Sequence, residues 1–273
     1  MFVEDPNLPI PFINLKVEYP KIMEIREQNV VSVLDYIRQK GWTDGEKPDF
    51  VTDRFLLKAV VSPEASTTIH VVRVDGIYFL SCSDEEPVGN NGFRWVFKHM
   101  LTKKEIDDEF ETEATIRKAM FKATVEGEEK KYTVVYSGKV DAIDDEMRHY
   151  EIKVASNGTD DYFWETNSYR LYWQALFGNI DSFIVGARTG KQNSDPKTRR
   201  PLRYPPFSIY SVEKIGKEEF FKKANAHLIK NPSKRQFEDG HKDLRELFSL
   251  IEKTVKKDGD GFVFREKSKI RNG

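Results

Sequence analysis

Ser137-Gly138-Lys139-Val140-Asp141, followed after a polar stretch by Tyr150-Glu151-Ile152-Lys153, is the segment on which the reading turns. Apolar residues make strands of 132–140 and 150–155, with a polar hairpin over 142–149 between them. Glu151 and Lys153 are two apart on a strand, so their side chains leave from the same face. Asp141 ends the preceding strand and can approach that face. Two carboxylates and one ammonium then meet, with the Ile152 carbonyl nearby. Oxygen donors of this kind suit a hard cation such as Mg²⁺ or Mn²⁺. The ammonium suits the positioning of a water or the neutralising of a phosphorane-like transition state. A charged strand with an apolar middle is equally the ordinary look of a half-exposed strand, and this segment alone leaves both readings open.

Outward from it, the chain alternates. Pro6, Pro9, Pro11 and Pro20 fix an extended arm over 1–20. Helical spacing over 30–39 ends at Gly41. Residues 50–61 and 69–80 read as antiparallel strands, with Asp75-Gly76 as a hairpin turn. A short helix starts within 92–100, and 114–123 fits helix or strand. Residues 162–177 form a helix with aromatics on most sides, hence buried, stopped by Gly178-Asn179. Strands over 180–187 and 207–212, helices over 217–229 and 237–256, and a strand over 262–264 complete the pattern. With no internal repeat and no dividing linker, this predicts one mixed α/β domain over 1–273.

The composition narrows the class. Of 273 residues 38% are apolar, and 19 Phe, 11 Tyr and 4 Trp can build a sizeable core. Forty-four basic and 45 acidic residues give a net charge of -1, so any nucleic-acid surface must be local. The single cysteine, Cys82, excludes an intrachain disulfide framework and a cysteine-cluster zinc site, and fits a reducing compartment. The N-terminus lacks a signal-peptide pattern, and no run approaches the length of a membrane span. A soluble nuclear or cytoplasmic protein with no membrane partner is expected. The five histidines have no ligand spacing, the basic stretch 191–203 reads first as a solvated loop, and Trp164, Tyr169, Tyr172 and Trp173 read as core. Gln174 needs a polar partner in so aromatic a helix, either a strand-end backbone group or a group in the site.

The D-x9-E-x-K arrangement of Asp141, Glu151 and Lys153 looks like a PD-(D/E)xK nuclease core. More specifically, 48–54 and 74–79, then Tyr136-Ser137-Gly138-Lys139-Val140-Asp141, Tyr150-Glu151-Ile152-Lys153, Leu171-Tyr172-Trp173-Gln174-Ala175 and Ile184-Val185-Gly186-Ala187-Arg188, resemble in order and spacing the DXO-type decapping exoribonucleases. The resemblance covers about half the chain. It implies mixed β-sheets flanked by helices, and a pocket for RNA 5′ ends where divalent metal supports cap removal, 5′-triphosphate hydrolysis and 5′-to-3′ degradation. It implies Asp141 and Glu151 as ligands of Mg²⁺ or Mn²⁺, Lys153 and Gln174 as holders of the attacking water or scissile phosphate, and Arg54 and Arg188 as RNA contacts. The implied partners are RNA 5′ ends; a member that has lost the chemistry could instead dock onto a 5′–3′ exoribonuclease or another RNA-processing protein.

Two departures cut against that chemistry. Lys139 and Val96 stand where the family has glutamates serving the metals, a change of about three charge units. If Lys139 shares the face of Asp141, its repulsion of Mg²⁺ at about 4 Å and an effective dielectric near 20 is of order 8 kcal/mol. The favoured expectation is a pseudoenzyme that binds RNA 5′ ends in quality control, without metal if the site has lost it. An active metal-dependent decapping hydrolase and exoribonuclease is the alternative, and a remote PD-(D/E)xK nuclease acting on other nucleic acid the third. The double variant Lys139→Glu, Val96→Glu is expected to gain Mg²⁺ affinity by calorimetry; no gain would count against the placement of both residues.

Overall fold

Asp53 shows how local chemistry divides this chain. The computed structural model describes residues 13–14, 31–42, 47–62, 67–83, 97–98, 100–102, 118–188 and 208–265. The strands are β1 (Ile13–Asn14), β2 (Phe50–Asp53), β3 (Thr68–Val74), β4 (Ile77–Ser83), β5 (Lys118–Glu126), β6 (Lys131–Lys139), β7 (Ala142–Ile143), β8 (His149–Ser156), β9 (Ile180–Arg188), β10 (Ser208–Gly216) and β11 (Gly261–Arg265). The helices are α1 (Val31–Lys40), α2 (Arg54–Val61), α3 (Asp161–Gly178), α4 (Lys217–Ile229) and α5 (Phe237–Thr254). A further helical stretch includes Phe97, Lys98, Met100 and Leu101. The expected single strand over 50–61 is corrected: Asp53 is extended and its side chain accepts the Leu56 N–H at 2.8 Å, so β2 ends there and α2 begins. The ambiguous 114–123 is strand from Lys118 onward. Of the Pro-rich arm 1–20, only β1 lies within the described residues; the basic stretch 191–203 lies outside them.

The residues group into two compact units, each with its own sheet. In one, the order is β11-β3-β4-β2-β6-β5. Asp75 and Gly76, at φ 50° and 80°, make the expected β3–β4 hairpin turn. Central β2 runs parallel to both neighbours, β4 and β6, in place of the antiparallel pairing expected of 50–61, and is buried throughout. Its Phe50 packs on Phe248 of α5 with ring centres 4.4 Å apart and on Tyr78 at 5.0 Å. Val51, Val33 of α1 and Ile77 form a second buried cluster.

In the other unit the order is β1-β10-β9-β8-β7, with β8 and β9 parallel and the rest antiparallel. Helix α3 makes the crossover between the parallel pair. Phe183 of β9 stacks on Phe220 of α4 at 4.2 Å, and Trp164 of α3 lies 5.2 Å from the same ring. Trp164 and Trp173 are buried and Tyr172 packs on Phe221, so those aromatics are core, as expected. Asn157 and Gly158, both at positive φ, form the turn after β8. The observed mixed sheets with flanking helices match the expected fold class.

Removing the cap that separates β2 from α2, by Asp53→Ala, is expected to lower stability by about 1 kcal/mol in urea unfolding; an unchanged midpoint would mean the cap does not hold this boundary.

Candidate functional site

Strand alternation brings Glu151 and Lys153 together as the sequence implies: Lys153 Nζ donates to Glu151 Oε1 at 2.6 Å. Glu151 is only 3% exposed, and a charge so buried needs partners. A second donor to the same oxygen is Gln174 Nε2, also at 2.6 Å. Helix α3 delivers that amide. Its N-terminus is capped by Asp160, which accepts the Phe163 N–H at 2.8 Å, and Asn179 at φ 44° ends it. Of the two partners open to Gln174, the side chain of Glu151 is the one observed.

Asp141 immediately precedes β7, which pairs with β8 only at Ala142–Tyr150 and Ile143–His149. Where that short ladder stops, Asp141 Oδ2 accepts the Ile152 N–H at 3.1 Å. The carboxylate continues the edge that the backbone leaves. Its Oδ1 lies 3.5 Å from Nζ of Lys98, which is itself 7% exposed. Burial alone would raise the Asp141 pKa, but the ammoniums of Lys98 and Lys153 and the Ile152 N–H hold it well below the usual carboxylate range.

Lys98 is the member that sequence reasoning missed. It follows Phe97, which is fully buried. A Cβ on Gly186 of β9 would come within 2.8 Å of the Phe97 ring, so the glycine leaves the room that ring fills. Thr102 Oγ1 donates to the Lys98 carbonyl at 2.9 Å and secures the turn. The available signal was a lysine beside an apolar residue in the stretch that carries Val96.

The described residues contain no group of three or more His, Cys, Asp or Glu side chains able to hold a metal ion. The two carboxylates are offset by two ammoniums, and three of their oxygens already accept from protein donors or face a lysine. Among the described residues, this donor set does not fit a divalent ion. Asp144 is committed elsewhere: Arg148 Nε and Tyr150 Oη donate to it at 2.7 and 2.8 Å. Burial opposes its ionisation, yet these bonds bring its pKa down to about 2. Val96 lies outside the described residues.

The remaining candidates stand apart from this cluster or in the other unit. Arg188 ends β9, is buried, and pairs with Ser156, five residues beyond Glu151 and thus about 16 Å along β8. In the other unit Arg54 opens α2. Its Nη2 donates to the Lys139 carbonyl at 2.5 Å, and its Nη1 is buried without a hydrogen-bond partner. Gly138 makes space for it: a Cβ there would stand 3.0 Å from Arg54 Cδ and Nε. Beside it the Tyr136 hydroxyl is pushed up to about 12 by burial, against the opposing Arg54 charge. Strand β6 ends at Lys139, so alternation does not extend to Asp141. The lysine that structure places on Asp141 is Lys98.

No family model matches the sequence and no curated protein matches it. Solved structures do. Rai1 of S. pombe, alone and in complex with 3′-FADP, superposes with a TM-score of 0.71 at 16% identity, over 97% of this chain and 82% of that one. Candida albicans Rai1 in complex with pU5 and Mn²⁺ gives 0.60 at 14%, over 86% and 70%. K. lactis Dxo1 in complex with manganese gives 0.55 at 11%, over 97% and 72%. The chain therefore has the Rai1/Dxo1 fold, the one its motifs resemble.

A carboxyl with a depressed pKa stabilises the fold above its unfolded value, 3.8 for Asp141, and that contribution fades as pH falls toward the folded value. The stability gap between the parent chain and Asp141→Asn should be widest near neutral pH and shrink below pH of about 4. Urea titrations at several pH values check this; a gap that does not vary with pH contradicts it.

Proposed function

We propose that this chain is a divergent member of the DXO-type decapping exoribonuclease family, acting over residues 1–273 as one domain. It binds RNA 5′ ends in RNA quality control, with metal-dependent phosphodiester and pyrophosphate hydrolysis weakened or lost. One observation carries the reading: both acids of the nuclease-like constellation, Asp141 and Glu151, are already matched to lysines inside the site. A hydrolase built on a divalent ion needs carboxylate charge in surplus to hold it. The cluster has none among the described residues.

What it does have is donors. Lys98, Lys153 and Gln174 converge on two carboxylates in a largely buried setting. Each ammonium and the amide keep further N–H groups beyond those given to the carboxylates, and these can donate to a phosphate group while the ion pairs stay in place. The similar structures support the ligand class, since S. pombe Rai1 was seen with 3′-FADP and Candida albicans Rai1 with pU5 and Mn²⁺. Arg54 and Arg188 are proposed as further RNA contacts. The partner would be a 5′–3′ exoribonuclease or another RNA-processing protein, in the nucleus or cytoplasm. The alternative, an active decapping hydrolase and exoribonuclease, draws on the intact Asp141, Glu151 and Lys153 geometry.

Turnover assays separate the two. The purified chain would meet 5′-triphosphate, NAD-capped, unmethylated-cap and 5′-monophosphate RNA with Mg²⁺ and with Mn²⁺, beside Glu151→Ala. Binding without turnover is expected. Cleavage that disappears in Glu151→Ala would establish the active alternative.

A further inference from the structure

The two ion pairs of the site differ in kind. Lys153 and Glu151 are neighbours on one strand and fall together by alternation. Lys98 reaches Asp141 from another segment, brought there by Phe97 packed over Gly186. Its side chain is 9% exposed, and the Lys98 carbonyl is bonded to Thr102. The ammonium is thus built into the site and is not a surface lysine swinging past.

We infer that Lys98 takes the place of a divalent cation at Asp141, so that the site engages a 5′-phosphate without metal and excludes Mg²⁺ and Mn²⁺. A hard ion bound to Asp141 would compete with Lys98 for Oδ1, while Oδ2 is held by the Ile152 N–H. Glu151 Oε1 already accepts from both Lys153 and Gln174. Entry of the ion would leave two ammoniums beside it where little water screens them, and like charges repel most strongly there. The phosphate part of this inference rests on the RNA 5′-end reading; the metal part stands on the geometry alone.

Mn²⁺ titration followed by the EPR signal of the free ion tests the metal part on the full chain. Lys98→Gln should bind Mn²⁺ about tenfold tighter or more than the parent. Lys98→Arg, which keeps the charge, should show no gain, and adding Glu151→Gln should abolish the gain of Lys98→Gln. A parent chain that binds Mn²⁺ as tightly as Lys98→Gln overturns the inference. If Lys98→Gln does not fold by circular dichroism, Lys98→Met keeps the apolar stem and carries the same test. Fluorescence anisotropy with 5′-monophosphate RNA tests the phosphate part. Parent affinity should be equal in EDTA and in Mn²⁺, and tightening by Mn²⁺ overturns metal-free binding. If RNA binds in neither condition while Lys98→Gln still gains Mn²⁺, the RNA reading fails and the cation replacement is supported.

Discussion

A carboxylate as deeply buried as that of Glu151 has to be balanced, and the unit around it is arranged to do so. Its own strand supplies Lys153, and the crossover helix α3 supplies Gln174. Removing Lys153, its charged partner, would leave the charge under-compensated in a site with little water, a loss of order 3–5 kcal/mol. The position of α3 over β8 is therefore tied to one oxygen atom, Glu151 Oε1.

Asp141 solves a different problem with the same chemistry. It stands where the short β7 can no longer pair with β8, and its side chain takes the Ile152 N–H that would otherwise face an empty edge. Once spent on the backbone, that carboxylate has one oxygen left to offer, and Lys98 stands opposite it. Function in this site is then a matter of charge balance. A fold shared with structures bound to Mn²⁺ holds, in this chain, acids matched by ammoniums.

Much of this was legible in the residues because strand geometry has a short period. Glu151 and Lys153 could be paired by counting, and Gln174 announced itself as the polar residue of a helix otherwise rich in aromatics. Helices α1, α3 and α4 and the β3–β4 hairpin follow from spacing and from Gly41, Asn179 and Asp75-Gly76. Two features resisted. In 50–61 apolar residues flank Thr52-Asp53-Arg54 on both sides, and the division between β2 and α2 depends on one bond, the Leu56 N–H donated to the Asp53 side chain. Lys98 was hidden because its approach to Asp141 depends on a tertiary fit, a ring lodged over Gly186, which no local period encodes.

Asp141 and Glu151 face lysines where a metal would need them bare. Anomalous diffraction at the manganese edge, from crystals of the chain grown with excess Mn²⁺, addresses it directly. No anomalous peak is expected between the two carboxylates, with the Lys98 ammonium resting on Asp141. A peak bridging Asp141 and Glu151, with Lys98 turned away, would contradict it.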